Sequence, residues 1–137
     1  MDSKKIASFK DLEVYQESYS LSVIVMTKLI PKIPESEKFD LKDQLSRSSK
    51  AIPRLIAEGY GKKHQKAGFQ KYLDDAMAET NETIVSICHC KDIFQIEMKL
   101  CDEAVKRYDV LGRRIYRLAE SWESFRYKGR NKPSPTT

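Results

Sequence analysis

Apolar residues recur along this chain at intervals of three and four, the repeat of one helical face, in four stretches separated by breakers. The first covers residues 9–30, with Leu12, Tyr15, Tyr19, Val23, Met26 and Ile30 on one side. Pro31 and Pro34 close it, because proline lacks the amide proton and clashes with the preceding turn. The second covers 36–60, with Leu41, Leu45, Ser48, Ile52, Leu55 and Ile56 as its seam. Pro53 falls inside that seam and is expected to kink the helix without ending it, since apolar positions continue beyond it. Gly59 and Gly61 mark its end. The third, 68–95, carries Phe69, Leu73, Ala76, Thr80, Ile84, Ile87 and Phe94, and the fourth, 100–124, carries Cys101, Val105, Tyr108, Leu111, Ile115, Leu118 and Trp122.

No segment alternates as a half-buried strand would. Four long helices joined by short connections predict an all-α domain, an antiparallel up-down four-helix bundle over residues 1–125. The remainder, 126–137, holds Arg126, Lys128, Arg130 and Lys132, no acid, and the ending Pro-Ser-Pro-Thr-Thr. It has little apolar surface to bury and is expected to be a mobile basic tail.

The first helix has a second apolar side. At about 100° per residue, Val14, Leu21 and Val25 lie opposite its seam, with Ile24 beside them. A monomer packing only the first face would leave these in water, so they are expected to form a subunit interface. The third helix repeats the feature with Val85, Ile93 and Ile96.

Composition narrows the setting. The longest apolar run, Val23-Ile24-Val25-Met26, is far short of the ~20 residues a membrane span needs, and residues 1–10 lack the apolar core of a signal peptide. Three cysteines, Cys88, Cys90 and Cys101, are an odd number with no CxxC pair, which points to a reducing cytoplasm. Cys88-His89-Cys90 has the residue types of a metal site. Adjacent helical side chains point about 100° apart, however, and cannot converge on one ion.

Charge is organised in blocks. Residues 1–41 hold six basic and seven acidic side chains, 42–71 eight and two, 72–103 two and eight, and 104–137 nine and three. On the second helix Arg47, Lys50 and Arg54 form a stripe, extended by Lys62, Lys63 and Lys66 just after it; on the fourth, Arg113, Arg114 and Arg117 form a secondary set. Such rows bind phosphate backbones, because condensed counterions are released when the cations pair. Asp74, Asp75, Glu79 and Glu82 on the third helix offer the same cations another use, registering subunits by charge. Neither His64 nor His89 has a nucleophile partner at a telling spacing, and no phosphate-cradling glycine motif occurs, so no enzymatic activity and no cofactor or metal is expected.

Phe9-Lys10-Asp11-Leu12-Glu13-Val14-Tyr15-Gln16 resembles the opening F-x-D-L-x-V-W-Q of the four-helix-bundle proteins encoded in ribosomal-RNA intervening sequences. The second helix resembles that family's L-x-x-Q-I-x-R-A-x-x-S-I-P-x-N-I-A-E-G through Leu41, Gln44, Leu45, Arg47, Ser48, Ala51, Ile52, Pro53, Ile56, Ala57, Glu58 and Gly59. Phe69 and Leu73 fit its third-helix start. Leu55 stands where the family has asparagine, Tyr15 where it has tryptophan, and Ala78-Glu79-Thr80 where a Gly-Ser turn is frequent.

The resemblance implies a non-catalytic bundle assembled as a ring, commonly a homopentamer. It extends distantly to the basic accessory proteins of diversity-generating retroelements, which bind a reverse transcriptase and nucleic acid. The expected function is therefore a cytoplasmic homo-oligomer that binds RNA or DNA or serves a nucleic-acid enzyme. The alternative is a protein–protein scaffold whose charge blocks act only in assembly.

Overall fold

The computed structural model describes residues 5–130, with side chains through Trp122. It contains four long helices: α1 (Glu13–Ile24), α2 (Leu41–Gly61), α3 (Gly68–Asp92) and α4 (Met98–Arg130). No strand occurs among the described residues, and no helix there is long and apolar enough to cross a membrane. Each helix packs on its neighbour in the chain and α1 closes against α4, while among the described residues the backbones of α1 and α3, and of α2 and α4, do not come close.

A short 3-10 turn, Phe9–Asp11, precedes α1 and is held by a reciprocal cap. The Ser8 hydroxyl accepts from the Lys10 amide, and the Asp11 carboxylate accepts from the amides of Ala7 and Ser8. After α1 the chain widens into a π-helical turn, Val25–Leu29, which keeps Val25 and Leu29 on the buried side, and then tightens into a 3-10 turn, Ile30–Lys32.

The face of α1 that enters the core is the reverse of the one expected. Val14, Leu21 and Val25 are buried within the single chain, together with Leu12 and Leu29, and so cannot be a subunit interface. Tyr19 and Val23 of the expected seam are 54% and 44% exposed. The buried row also contains Ser18 and Ser22, whose hydroxyls donate to the carbonyls of Tyr15 and Tyr19, 3.0 and 2.7 Å away. A serine that satisfies its hydroxyl on its own helix can enter a core, and its small size lets the neighbouring helix approach.

The seams of α2, α3 and α4 follow the sequence pattern, with Leu41, Leu45, Ile52, Ile56, Phe69, Leu73, Ile87, Tyr108, Leu111 and Ile115 buried in one core. Helix α2 continues through Pro53, which is itself buried. Between α2 and α3 the Thr83 hydroxyl donates to that of Ser48 at 2.8 Å. Nearer the turn that joins the two helices Gly59 faces Tyr72: a Cβ at Gly59 would sit 2.6 Å from the Tyr72 Cβ. Gln70 reaches the carbonyl of Ala119, and Lys91 pairs with Asp102 at 2.7 Å, so α3 and α4 are tied at both ends. Glu17 and Arg107 join α1 to α4 through two hydrogen bonds of 2.8 and 3.0 Å, a fork that holds the Glu17 carboxyl below its ordinary range.

Helix α4 runs on to Arg130, past the end near residue 124 expected from the sequence. The first part of the expected tail is thus helical backbone, and 131–137 lie outside the described residues.

Gly59→Ala tests the α2–α3 contact. A methyl there meets the stem of Tyr72, which sits on helix backbone and cannot swing away. The variant is expected to lose about 1–3 kcal/mol of stability in denaturant unfolding, despite alanine's better helix propensity.

Candidate nucleic-acid interface

Spacings of three and four put Arg47, Lys50 and Arg54 on one ridge of α2, and all three are exposed. The ridge is partly neutralised by its own helix. Arg47 pairs with Asp43 at 3.0 Å and Arg54 approaches Glu58 at 3.9 Å, both exposed one-turn pairs of the kind that stabilises little. Lys50 forms no ion pair among the described residues.

The turn after α2 continues the positive surface with Lys62 and Lys66 exposed and Lys63 half-buried. The ammonium of Lys62 lies 5.4 Å from the centre of the Tyr72 ring, and that of Lys63 lies 4.1 Å from Tyr60. These ring contacts orient the lysines without cancelling their charge.

The secondary set on α4 is not brought to this ridge, since the backbones of α2 and α4 do not come close among the described residues. It also divides. Arg113 and Arg117 line a cavity between α3 and α4 with Asp109 and Glu120, and Arg113 is held by Asp109 at 2.5 Å. Arg114 turns towards α1, where its charge helps keep Glu17 ionised. This group is therefore mixed in sign and split between two sides.

Two features escaped the sequence pattern. Glu79 and Glu82 line a cavity of about 330 Å³ together with Arg47, Lys50 and Arg54, so part of the acidic face of α3 meets the basic ridge inside one subunit. Burial first, and a hydrogen bond with Glu82 second, push the Glu79 carboxyl above its ordinary range, while Arg47 and Arg54 pull the other way. The second feature is the aromatic face of α1. Phe9, Tyr15 and Tyr19 form a continuous row, with Phe9 edge-on to Tyr15 at 4.8 Å and Tyr15 stacked on Tyr19 at 5.9 Å, beside the Lys50 and Arg54 end of the ridge.

The thiols are a separate matter. Cys90 and Cys101 are buried, and burial pushes them up to about 12 and about 11, which keeps them protonated and unreactive at neutral pH. Among the described residues no three His, Cys, Asp or Glu side chains gather as metal ligands.

Compared with known families, residues 10–117 match the family model of the 23S rRNA-intervening sequence protein. The chain belongs to this family. No curated protein and no solved structure matches it. For a 23S rRNA-intervening sequence protein, the matched span takes in the whole α2 ridge, the lysine turn and the aromatic row of α1 apart from Phe9. Gly59, at the end of the motif that carries the resemblance, is the residue that lets α3 close on α2. In this chain the motif positions therefore set the geometry beneath the cations.

Glu79→Gln reads the charge balance of this site. Because the folded carboxyl is raised above its unfolded value of 4.5, the group's favourable contribution is complete below 4.5 and is lost as pH rises through the raised value of the folded state. The substitution is expected to raise stability at neutral pH, with the gain vanishing below about pH 4. Thermal unfolding of both proteins across that range checks the sign.

Proposed function

We propose that this chain is a non-catalytic, homo-oligomeric protein, an antiparallel up-down bundle, that binds nucleic acid through the α2 ridge and the lysine turn. The observation that carries the reading is the exposed run Lys50, Arg54, Lys62 and Lys66 on one continuous stretch where basic side chains outnumber acidic ones eight to two. Membership of a family named for an rRNA intervening sequence agrees with a nucleic-acid partner. The reversed residue order of the α2–α3 and α3–α4 contacts supports the antiparallel arrangement. The resemblance to ring-forming bundles supports a pentamer in the cytoplasm, with any partner enzyme being one that acts on nucleic acid.

With Val14, Leu21 and Val25 in the core, self-association falls to the outer side of α3 and its C-terminal end, where Val85 and, just after the helix, Ile93 are 53% and 62% exposed. Ile96 is buried and takes no part. A ring repeats each subunit's basic ridge, so weak phosphate sites gain avidity where they can engage together.

One observation favours the scaffold reading instead. Arg47, Arg54 and Arg113 already face carboxylates, which is the behaviour of charges that organise a protein surface.

Two measurements separate the readings. Binding to labelled RNA and DNA is expected to weaken linearly in log salt with a slope of about −2 or steeper if three or more phosphates are neutralised. Charge reversal at Lys50, Arg54 and Lys62 should weaken binding and flatten the slope, whereas removing residues 126–137 should leave binding largely in place. The opposite pattern, tail-dependent and ridge-independent, favours the scaffold. Separately, Val85→Lys with Ile93→Lys is expected to give folded single subunits by light scattering, because lysines in that contact would bury unpaired charge. An unchanged mass would move the contact off α3.

A further inference from the structure

The turn of α1 that buries Val14, Leu21 and Val25 has a consequence on its other side. It lifts Tyr15, Tyr19, Val23 and Met26 to the surface, where they form one wall of a groove of about 450 Å³ against α2. Pro53 and Ala57 make the other wall. The charged side chains lining the groove, Lys50 and Arg54, are both cations, and no carboxylate lines it. The exposed Tyr19 ring at the end of an aromatic row, with cations along one edge of the groove, has the layout of a surface on which a base stacks while its backbone meets the charge.

We infer that this groove binds an unpaired stretch of nucleic acid, with a base stacked on Tyr19 and its phosphate held by Lys50 and Arg54. The inference rests on the nucleic-acid reading of the α2 ridge and adds to it the kind of strand bound. In a duplex each base face is already covered by its neighbours, and a ring has no face to meet. An unstacked base offers one. Tyr19 is the residue best placed to receive it, being 54% exposed and backed by Tyr15, which Phe9 supports in turn. The groove also runs along α2 as far as Ala57, a turn before the helix ends, so a strand leaving it passes to the lysines at 62, 63 and 66. An acidic amphipathic helix would also meet the two cations. It would seat aliphatic anchors at helical spacing along its groove, however, and here the most exposed side chain of the α1 wall is the Tyr19 ring, with Val23 and Met26 as aliphatic lining beside it.

The test uses the full chain and one labelled RNA sequence presented single-stranded and as a duplex at the same salt concentration. Fluorescence anisotropy should show tighter binding of the single strand. Tyr19→Ala should weaken single-strand binding roughly tenfold and leave duplex binding unchanged, and Tyr19→Phe should restore it, since the ring and not the hydroxyl is used. Lys50→Gln should weaken the single strand and flatten its salt slope. Equal affinity for the two forms, or a Tyr19→Ala loss shared by both, overturns the groove while leaving phosphate binding by the ridge intact. Absence of binding to either form overturns the broader reading with it. A fall in mass of Tyr19→Ala by light scattering makes the groove a subunit contact and also overturns the inference.

Discussion

Gly59 has no side chain, and the Tyr72 Cβ of α3 occupies the space where one would be. That close approach sets how α2 and α3 lie together. It brings the Ser48 and Thr83 hydroxyls within hydrogen-bond reach, and it places Glu79 and Glu82 beside Arg47, Lys50 and Arg54. It also directs Tyr72 towards Lys62 in the turn. A wider spacing would loosen each of these arrangements at once. The basic ridge is therefore a product of helix packing as much as of its own charges.

The hydroxyl-bearing residues in the core serve the same end. Ser18, Ser22, Ser49 and Thr80 are buried and each donates to a carbonyl of its own helix, while the buried Ser48 and Thr83 hydroxyls bond to each other. These serines and threonines contribute small volume where two helices meet with their hydroxyls hydrogen-bonded, whereas the buried Tyr108 hydroxyl has no partner among the described residues. Large side chains fill the remaining space: Phe69 meets both Tyr60 and Trp122 edge-on, and Tyr108 is wholly enclosed.

Three of the four helices could be read from the sequence because large aliphatic and aromatic side chains fall mainly on one face, even where Ser48 or Thr80 interrupts the seam. Helix α1 could not. Its two sides carry comparable apolar weight, and its true seam is interrupted by Ser18 and Ser22, which look polar by type. The larger rings of Tyr15 and Tyr19 favoured the wrong side. The cations of the candidate site were visible as a stripe, but the placement of Glu79 and Glu82 beside them depends on the relative rotation of two helices, which a one-dimensional pattern does not encode. The extent of α4 was under-read for a different reason. Once a helix is nucleated, adding residues such as arginine, lysine and tyrosine costs little, whether or not they bury anything.

The order of packing bears on how quickly this chain can find its fold. Helices that meet their immediate neighbours close only short loops, and such local topologies fold among the fastest known. The exception is the meeting of α1 with α4, whose Glu17–Arg107 fork spans most of the sequence. A chain built this way can assemble α2, α3 and α4 as a local unit and leave the first helix to dock against both open edges. Unfolding by the reverse route would release α1 first, and with it the aromatic wall beside the basic ridge.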